Sequence, residues 1–266
     1  MARARIFSGK WALVTGASAG IGTALARELA SHGAKLILTA RRRGRLEELA
    51  AELRAKGTEV RVVPANLNDA TGPQQIWDAV ESQGIEVDIL IDNAGLGQFG
   101  AFHTNPVTQE LNQVRVNCEA MVRLTRLIIP GMVERGRGWV LVVSSMASFV
   151  PMPYFATYAA TKAFDRFFAL GLAAEVERYG VKVTALCPGS TESEFSYVAR
   201  SGALERPGHV QSAEEVARKA IRALAWGRRT IIPYWGGRFI SVLVRFLPTR
   251  LITHYIEKGS RPPQAL

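Results

Sequence analysis

A tyrosine and a lysine that could share a proton are four residues apart in the segment Tyr158-Ala-Ala-Thr-Lys162. On a helix, this i, i+4 spacing makes the two side chains neighbours. A nearby ammonium group lowers the pKa of a phenol from about 10 toward neutrality, which would make Tyr158 a usable general acid or base. Ser144 and Ser145 end an apolar run earlier in the chain, and a hydroxyl there could hydrogen-bond a substrate carbonyl. The Tyr–Lys spacing alone is also common in ordinary surface pairs.

A glycine-rich turn, residues 15–22, follows the first apolar run and precedes a helical pattern. Gly16 would permit a tight turn, while Gly20 and Gly22 would let a ligand and the strand approach the backbone. Free N–H groups at the start of a helix bind a pyrophosphate. The alternative is an ordinary strand-to-helix turn that is rich in glycine. The predicted dinucleotide contacts in this turn are Gly16, Ser18, Ala19, Gly20, Ile21 and Gly22.

Three arginines, Arg41 to Arg43, follow the second apolar run. NAD-binding folds carry an acid at this point, about 20 residues past the glycines, for the ribose 2′-hydroxyl. Guanidinium groups instead suit a 2′-phosphate, so we predict NADP(H) rather than NAD(H) as the cofactor. Arg41 is the best phosphate partner and Arg42 the second, whereas Arg43 and Arg45 fit a solvated start of a helix.

Short, uniformly apolar runs alternate along the chain with longer segments of helical periodicity, which is typical of a parallel sheet covered on both faces. We therefore predict an α/β fold, a Rossmann-like doubly wound parallel sheet of about seven strands. It would form a single domain over residues 1–235, with a C-terminal helical extension over 236–266. Helical periodicity also covers 108–134, where Pro130 is expected to kink or end the helix.

The composition excludes a disordered chain, because 48% of the 266 residues are hydrophobic and 21% are charged. The net charge of +10 suggests anionic partners, which include nucleic acid, a membrane surface and phosphorylated ligands. We expect no nucleic-acid partner, since the basic residues are spread out and no recognition motif is present. The two cysteines and four histidines lack metal-ligand spacing, so we expect no metal. Reduced cysteines favour a cytoplasmic location.

Taken in order, these motifs resemble those of the short-chain dehydrogenase/reductase family. The resemblance covers roughly residues 9–235 and rests on TGASAGIG (15–22), DNAG (92–95), Asn117, Ser145, YxxxK (158–162) and PG (188–189). It implies an enzyme that transfers hydride between NADP(H) and a ketone or secondary alcohol. It also implies a homodimer or homotetramer formed through the long helices at 108–134 and 156–179.

The resemblance implies a role for each catalytic residue. Tyr158 is then the general acid for carbonyl reduction, Lys162 lowers its pKa and binds the nicotinamide ribose, and Ser145 polarises the carbonyl. Asn117 is expected to hold a helix distortion and a water in a proton relay to Lys162. Ser144 is one residue off the usual spacing and is expected to play a supporting role.

The resemblance implies further cofactor contacts outside the glycine-rich turn. Three positions depart from the family pattern. Asp92 replaces a frequent Asn, which we expect to affect the sheet more than the chemistry. Asn66 replaces a common Asp beside the adenine but can still accept a hydrogen bond from the adenine amino group, and Ser193 stands for the usual Thr after the PG motif. Either Thr191 or Ser193 could reach the nicotinamide carboxamide. These further contacts are Asn66, Leu67, Asn93, Ala94, Gly95, Pro188, Gly189, Thr191 and Ser193, together with Tyr158 and Lys162.

Substrate specificity is expected to reside in the loop 191–211, whose glycines and prolines suggest a mobile lid. The segments 96–102 and 149–154 would face the same cleft. Apolar lining favours a hydrophobic ketone, such as an acyl-chain or steroid-like compound, although these side chains could equally just pack the lid. The candidate lining residues are Phe195, Tyr197, Val198 and Leu204.

The chain end is basic and apolar, with seven Lys and Arg and one acid, Glu257, after Gly227. A basic amphipathic helix can lie on a membrane surface. It can also cover the active site or dock on its own domain or on a partner subunit, and we favour such docking. The extension loosely resembles that of one bacterial branch of the family, which is similar to ketoacyl reductases acting on long chains. The apolar residues predicted to share one helical face are Phe239, Val242, Leu243, Phe246 and Leu247.

These observations favour an NADPH-dependent reductase of hydrophobic ketones, with 3-oxoacyl thioesters as one version of the substrate. The alternative is a non-catalytic NADP(H)-sensing regulator or interaction protein on the same fold. The combination of Asn117, Ser145, Tyr158 and Lys162 argues against it, because a sensor needs no general acid.

Overall fold

The computed structural model describes residues 6–192, 194–195, 199 and 210–261. Its centre is a parallel sheet of seven strands in the order β3-β2-β1-β4-β5-β6-β7, which confirms the predicted fold class. The strands are β1 Trp11–Thr15, β2 Lys35–Thr39, β3 Val60–Val62, β4 Val87–Asp92, β5 Gly138–Val143, β6 Val181–Leu186 and β7 Thr230–Ile231.

Helices cover both faces of the sheet, as the uniformly apolar strands require. In β1, Ala12 and Val14 face the core under α1, α2 and α7, whereas Leu13 faces the core under α3, α5 and α6. The helices are α1 Gly20–Ser31, α2 Arg43–Ala55, α3 Gly72–Glu81, α4 Val107–Val114, α5 Ala120–Glu134, α6 Ala156–Val176, α7 Ala213–Ala225, α8 Trp235–Leu243 and α9 Thr249–Ser260.

The chain order of the strands reverses between β1 and β4. Connections therefore run away from each other on the two sides of this pair and leave a crevice at the carboxyl ends of the strands. The glycine-rich turn follows β1 and the DNAG segment follows β4, so both predicted cofactor motifs meet at this crevice.

The expected effect of Pro130 is wrong in one respect, because α5 continues through it to Glu134. Buried side chains before and after the proline, such as Ile128 and Met132, hold both parts of the helix on the sheet. Burial of this kind offsets the one backbone hydrogen bond that proline removes. The helical periodicity from 108 is instead interrupted at Arg115–Glu119, which forms a π-helical turn.

The C-terminal extension forms two helices rather than one, since α8 ends at Leu243 and Pro248 precedes α9. Proline fixes its own backbone and cannot donate an N–H, so it starts a helix more readily than it continues one. Phe246 and Leu247, which we placed on a single helical face, lie between the two helices. Among the helices that the structure describes, none is long and apolar enough to span a bilayer.

Candidate active site

The glycine-rich turn is fastened to the end of β4 by the side chains of Thr15 and Asn93. The Asn93 Nδ2 donates to the carbonyl oxygens of Thr15 (2.9 Å) and Gly16 (3.3 Å). The Thr15 Oγ1 accepts hydrogen bonds from the backbone N–H groups of Asn93 (2.9 Å) and Ala94 (3.0 Å). The predicted contacts at positions 16–22 and 93–95 are thus brought together at one edge of the sheet.

Two glycines of this turn are required by the backbone itself. Gly16 has a φ of 65°, a left-handed conformation that side chains disfavour. A Cβ on Gly22 would overlap the carbonyl oxygen of Gly16, so no other residue fits where the start of α1 meets the turn. The turn can therefore hold its N–H groups close to a bound pyrophosphate.

Arg42, rather than Arg41, reaches the glycine-rich turn. Its Nη2 donates to the Ser18 Oγ at 3.2 Å, and its Nη1 donates to Glu194 Oε2 at 2.7 Å. Arg45 also pairs with Glu194, so two guanidinium groups converge on one carboxylate beside the turn. The Arg41 side chain is exposed. This arrangement gives the turn the cationic group that a 2′-phosphate needs.

Tyr158 lies near the start of α6, is almost fully buried and has the Ser145 hydroxyl in its surroundings. Burial raises the pKa of Tyr158, and the Lys162 ammonium and the Ser145 hydroxyl only partly oppose that rise. Our expectation of a phenol pKa near neutrality is therefore wrong for this arrangement, because desolvation of the phenolate outweighs the lysine charge. A phenol that stays protonated at neutral pH can act as a proton donor.

Lys162 makes two hydrogen bonds, from its Nζ to the Val143 carbonyl oxygen at 2.8 Å and to Asp165 Oδ2 at 2.9 Å. Burial works to lower the pKa of Lys162, but the charges of Asp165 and Tyr158 raise it on balance. Ser144 donates to the Lys162 carbonyl oxygen at 2.7 Å and so helps to fix α6 against the end of β5.

A second buried carboxyl, Asp92, lies below this ion pair at the end of β4. Thr125 donates to Asp92 Oδ2 at 2.9 Å. Burial raises the pKa of Asp92 to about 8, and the nearby Asp165 adds to this rise. Burial also raises the pKa of Asp165, while the Lys162 ammonium limits the increase. We refer to Asp92, Lys162 and Asp165 as the buried polar cluster.

Asn117 lies in the π-helical turn and ties it to the segment after β4. Its Nδ2 donates to the Leu96 carbonyl oxygen (2.9 Å) and to Thr161 Oγ1 (2.8 Å), and its Oδ1 accepts from the Leu96 N–H (2.8 Å). The helix distortion expected at this residue is present. A Cβ on Gly95 would lie 3.3 Å from Lys162 Nζ and 3.5 Å from Asn117 Oδ1, so these groups converge on one point.

Asn66 and Leu67, the predicted contacts after β3, are engaged within the protein itself. The Asn66 side chain makes its hydrogen bonds within its own turn, to Asp69 and from the N–H of Asn68. Leu67 packs partly against the core beneath α3. An adenine contact at these two residues stays a prediction.

The segment after β6 lies beside the catalytic residues. The Pro188 carbonyl oxygen accepts from the Met146 N–H at 2.9 Å, and Thr191 donates to the Gly189 carbonyl oxygen at 3.1 Å. A Cβ on Gly189 would lie 2.7 Å from the ring of Tyr234. Ser193 lies outside the described residues, so the choice between it and Thr191 stays open.

Aromatic rings enclose Tyr158. Phe155 stacks on it with ring centroids 4.3 Å apart, and the ring centroid of Phe195 lies 5.3 Å away. Phe99 and Met152 extend this apolar group, so the segments 96–102 and 149–154 both contribute side chains to the surroundings of Tyr158. Tyr197, Val198 and Leu204 lie outside the described residues.

Three features of the site escaped the sequence analysis. Asp165 is three residues after Lys162, a spacing that places both on one helical face and could have indicated the pair. The stacking of Phe155 on Tyr158 carries no such signal. Tyr154, which adopts a φ of 61°, donates from its hydroxyl to Glu257 Oε1 at 2.9 Å. This bond joins α9 to the apolar side of the site.

Comparisons with known proteins agree with this geometry. A family model described as short chain dehydrogenase matches residues 10–202. A very-long-chain 3-oxoacyl-CoA reductase from Pyrenophora tritici-repentis is 34% identical in an alignment 253 residues long, which covers 91% of this chain and 73% of that protein.

Solved structures extend the similarity over the C-terminal helices. A short-chain dehydrogenase from Sphingobium yanoikuyae in complex with NADPH has a TM-score of 0.81 and 28% identity, over 97% of this chain and 98% of that one. A short-chain dehydrogenase/reductase from Burkholderia phymatum in complex with NAD has a TM-score of 0.80 and 25% identity, over 98% and 99%. Similar proteins thus occur with either nicotinamide cofactor.

Proposed function

Since the chain belongs to the short-chain dehydrogenase family, we propose that it is an NADPH-dependent reductase of hydrophobic ketones, with 3-oxoacyl thioesters as the substrate class. The observation that carries this proposal is the environment of Tyr158. Its side chain is buried against the rings of Phe155 and Phe195, has the Ser145 hydroxyl nearby, and is kept protonated because burial raises its pKa. A protonated phenol in an apolar pocket is suited to donate a proton to a ketone oxygen.

A dinucleotide held by the glycine-rich turn would supply the hydride for the carbonyl carbon. On the protein side, the Ser145 hydroxyl donates a hydrogen bond to the carbonyl oxygen and Tyr158 transfers its proton to that oxygen as charge develops there. The ammonium of Lys162 stabilises the phenolate that remains. The surrounding rings exclude water and so strengthen each of these interactions.

Support for NADPH over NADH comes from the cationic side of the glycine-rich turn. Arg42 is held beside Ser18, and Arg45 is close enough to share Glu194 with it. A 2′-phosphate placed there would meet two guanidinium groups and no acid at the end of β2. The Glu194 carboxylate would have to give up part of its pairing to admit the phosphate.

Support for a long apolar substrate comes from the residues around Tyr158 and from the relative. Phe99, Met152 and Phe195 offer apolar surface and few hydrogen-bonding groups, which suits an acyl chain better than a sugar. The relative from Pyrenophora tritici-repentis is named for a 3-oxoacyl-CoA substrate. The expected homodimer or homotetramer stays a prediction.

The test follows the near-ultraviolet absorbance of NADPH with purified protein and 3-oxoacyl thioesters of increasing chain length. We expect turnover with NADPH to exceed turnover with NADH and to rise with chain length. Tyr158→Phe should reduce kcat by at least about a hundredfold, because no other group at that position can donate the proton.

The matched control is Tyr179→Phe, which alters an exposed tyrosine after α6 and should keep full activity. Binding of NADPH to Tyr158→Phe, measured by calorimetry, should persist. If the wild-type protein binds NADPH tightly but turns over no ketone, the result would favour the sensor hypothesis. Turnover that survives in Tyr158→Phe would overturn the proposed mechanism.

A further inference from the structure

The C-terminal helices expose a concentration of large apolar side chains. Along α8, Trp235, Phe239 and Val242 follow an i, i+4, i+7 spacing, and Phe246 lies in the turn after the helix. Of their surfaces, 81% of Trp235 and 79% of Phe246 are exposed. We call residues 235–255 the apolar–basic surface. Its exposed large apolar residues are Trp235, Phe239, Ile240, Val242, Leu243, Phe246, Leu247, Leu251 and Tyr255.

The opposite side of these helices is fixed to the domain. Gly237 and Ser241 are buried, and the Arg238 Nε donates to the Ile232 carbonyl oxygen at 3.1 Å. Tyr154 holds α9 through its hydrogen bond to Glu257. The apolar side chains therefore face outward because the inner side of the helices is already packed. From the sequence we favoured docking on the chain's own domain or on a partner subunit, and the contacts with its own domain leave these side chains uncovered among the described residues.

Positive charge accompanies the apolar side chains. Arg238, Arg245 and Arg250 lie within the surface, which contains no acidic residue. The nearest acid in the sequence, Glu257, follows the surface and is engaged by Tyr154 and Arg261. A monomeric protein rarely leaves so large an apolar patch uncovered, and such patches mark interaction sites.

We propose that the apolar–basic surface docks on an anionic lipid bilayer, with its aromatic and aliphatic side chains at the level of the headgroups. Arginine and tryptophan are the residue types that anchor helices at this interface. A second copy of the chain fits less well, since a symmetric contact would bring the arginines of both copies together without an acid to pair them.

The apolar–basic surface is connected to the site through α9. The hydrogen bond from Tyr154 to Glu257 joins α9 to the apolar group around Tyr158. A bilayer against α8 and α9 would place the source of a water-insoluble substrate next to the helix that Tyr154 joins to this apolar group. Docking does not depend on the proposed reaction, so either can fail alone.

The test is flotation of the purified full chain with vesicles of pure phosphatidylcholine or of phosphatidylcholine and phosphatidylglycerol in equal parts. We expect binding to the mixed vesicles only, weakened by salt. The triple variant Trp235→Ser, Phe239→Ser, Phe246→Ser should bind at least about tenfold less tightly. The double variant Arg245→Gln, Arg250→Gln should lose the preference for anionic vesicles.

The matched control is Phe167→Ser with Tyr179→Ser, which removes two exposed aromatic side chains away from the apolar–basic surface and should bind normally. Circular dichroism and NADPH turnover in detergent would show that each variant is folded. Equal binding to both vesicle types would overturn the charge argument. Failure to float, together with a wild-type oligomer that the triple serine variant dissociates, would assign the surface to a second copy instead.

Discussion

The buried polar cluster and the apolar–basic surface depart from the usual distribution of side chains in opposite ways. Lys162 and Asp165 are charged residues with no more than 4% of their surface exposed, whereas Trp235 and Phe246 are aromatic residues with most of their surface exposed. Buried charges and exposed apolar patches are the informative exceptions in a folded protein. The two regions differ in where the compensating partner comes from.

The buried polar cluster finds its partners inside the chain. Lys162 meets Asp165 and a backbone carbonyl, and Asp92 meets Thr125. The cost of removing these groups from water is thereby limited, and the cluster can set the charge state of the groups beside the substrate. The helices of the apolar–basic surface are fixed on their inner side, and none of the residues that the structure describes covers their exposed apolar side chains. The partner that we propose for them, a lipid bilayer, lies outside the chain.

The largest effect that would sharpen this comparison is expected at Asp165. Asp165→Asn keeps a hydrogen-bond acceptor for Lys162 but removes the negative charge that holds its proton. Buried and without that charge, Lys162 should lose its proton at lower pH and then no longer stabilise the phenolate of Tyr158. We expect kcat to fall by at least about tenfold, with the alkaline limb of the pH–rate profile moved to lower pH.

The conservative variant Asp165→Glu keeps the charge and should restore the alkaline limb at least in part. The other ionisable groups near the pair, Tyr158, Asp92, Cys118 and Cys187, remain unchanged in both variants. Loss of thermal stability with an unaltered pH profile would show that Asp165 has a structural role only.

A smaller effect, on stability, is expected at Asp92. Its pKa in the native protein is about 8, against 3.8 for an ordinary aspartate. Between these values the native state binds more protons than the unfolded chain, so the free energy of unfolding falls as pH rises from about 4 to 8. The slope contributed by this group approaches about 1.4 kcal/mol per pH unit.

Asp92→Asn removes the titrating group and leaves an acceptor for the Thr125 hydroxyl. Urea unfolding at a series of pH values should show a flatter pH dependence and a variant that is more stable than the wild type above neutral pH. An unchanged slope would show that the buried carboxyl does not control this pH dependence. From the sequence we expected Asp92 to affect the stability of the sheet more than the chemistry, and the pH dependence of unfolding tests that expectation.

The same contrast explains what the sequence could and could not predict. The sheet, the glycine-rich turn and the Tyr158–Lys162 pair each depend on a local pattern. The apolar runs predicted the strands, Gly16 and its neighbours predicted the turn, and the i, i+4 spacing predicted the pair. The contact of Arg42 with Glu194 joins residues far apart in the chain, and no local pattern indicates it. The break before α9 depends on Pro248 and on how α8 packs against the domain, which periodicity alone did not reveal.

The smallest effect is expected where the two regions meet, at the hydrogen bond from Tyr154 to Glu257. Tyr154→Phe removes the donor and keeps the ring, at a cost of about 1 kcal/mol or less, because the partner carboxylate is near solvent. We expect faster hydrogen exchange in α9 with little change in kcat on short, water-soluble ketones. Phe99→Leu, which alters the same apolar group away from α9, is the matched control and should leave that exchange unchanged.

If exchange in α9 stays at the wild-type rate in Tyr154→Phe, the helix is held mainly by contacts other than this bond. The apolar–basic surface would then be mechanically separate from the site, and a bilayer bound to it could deliver substrate but could not alter the position of Tyr154.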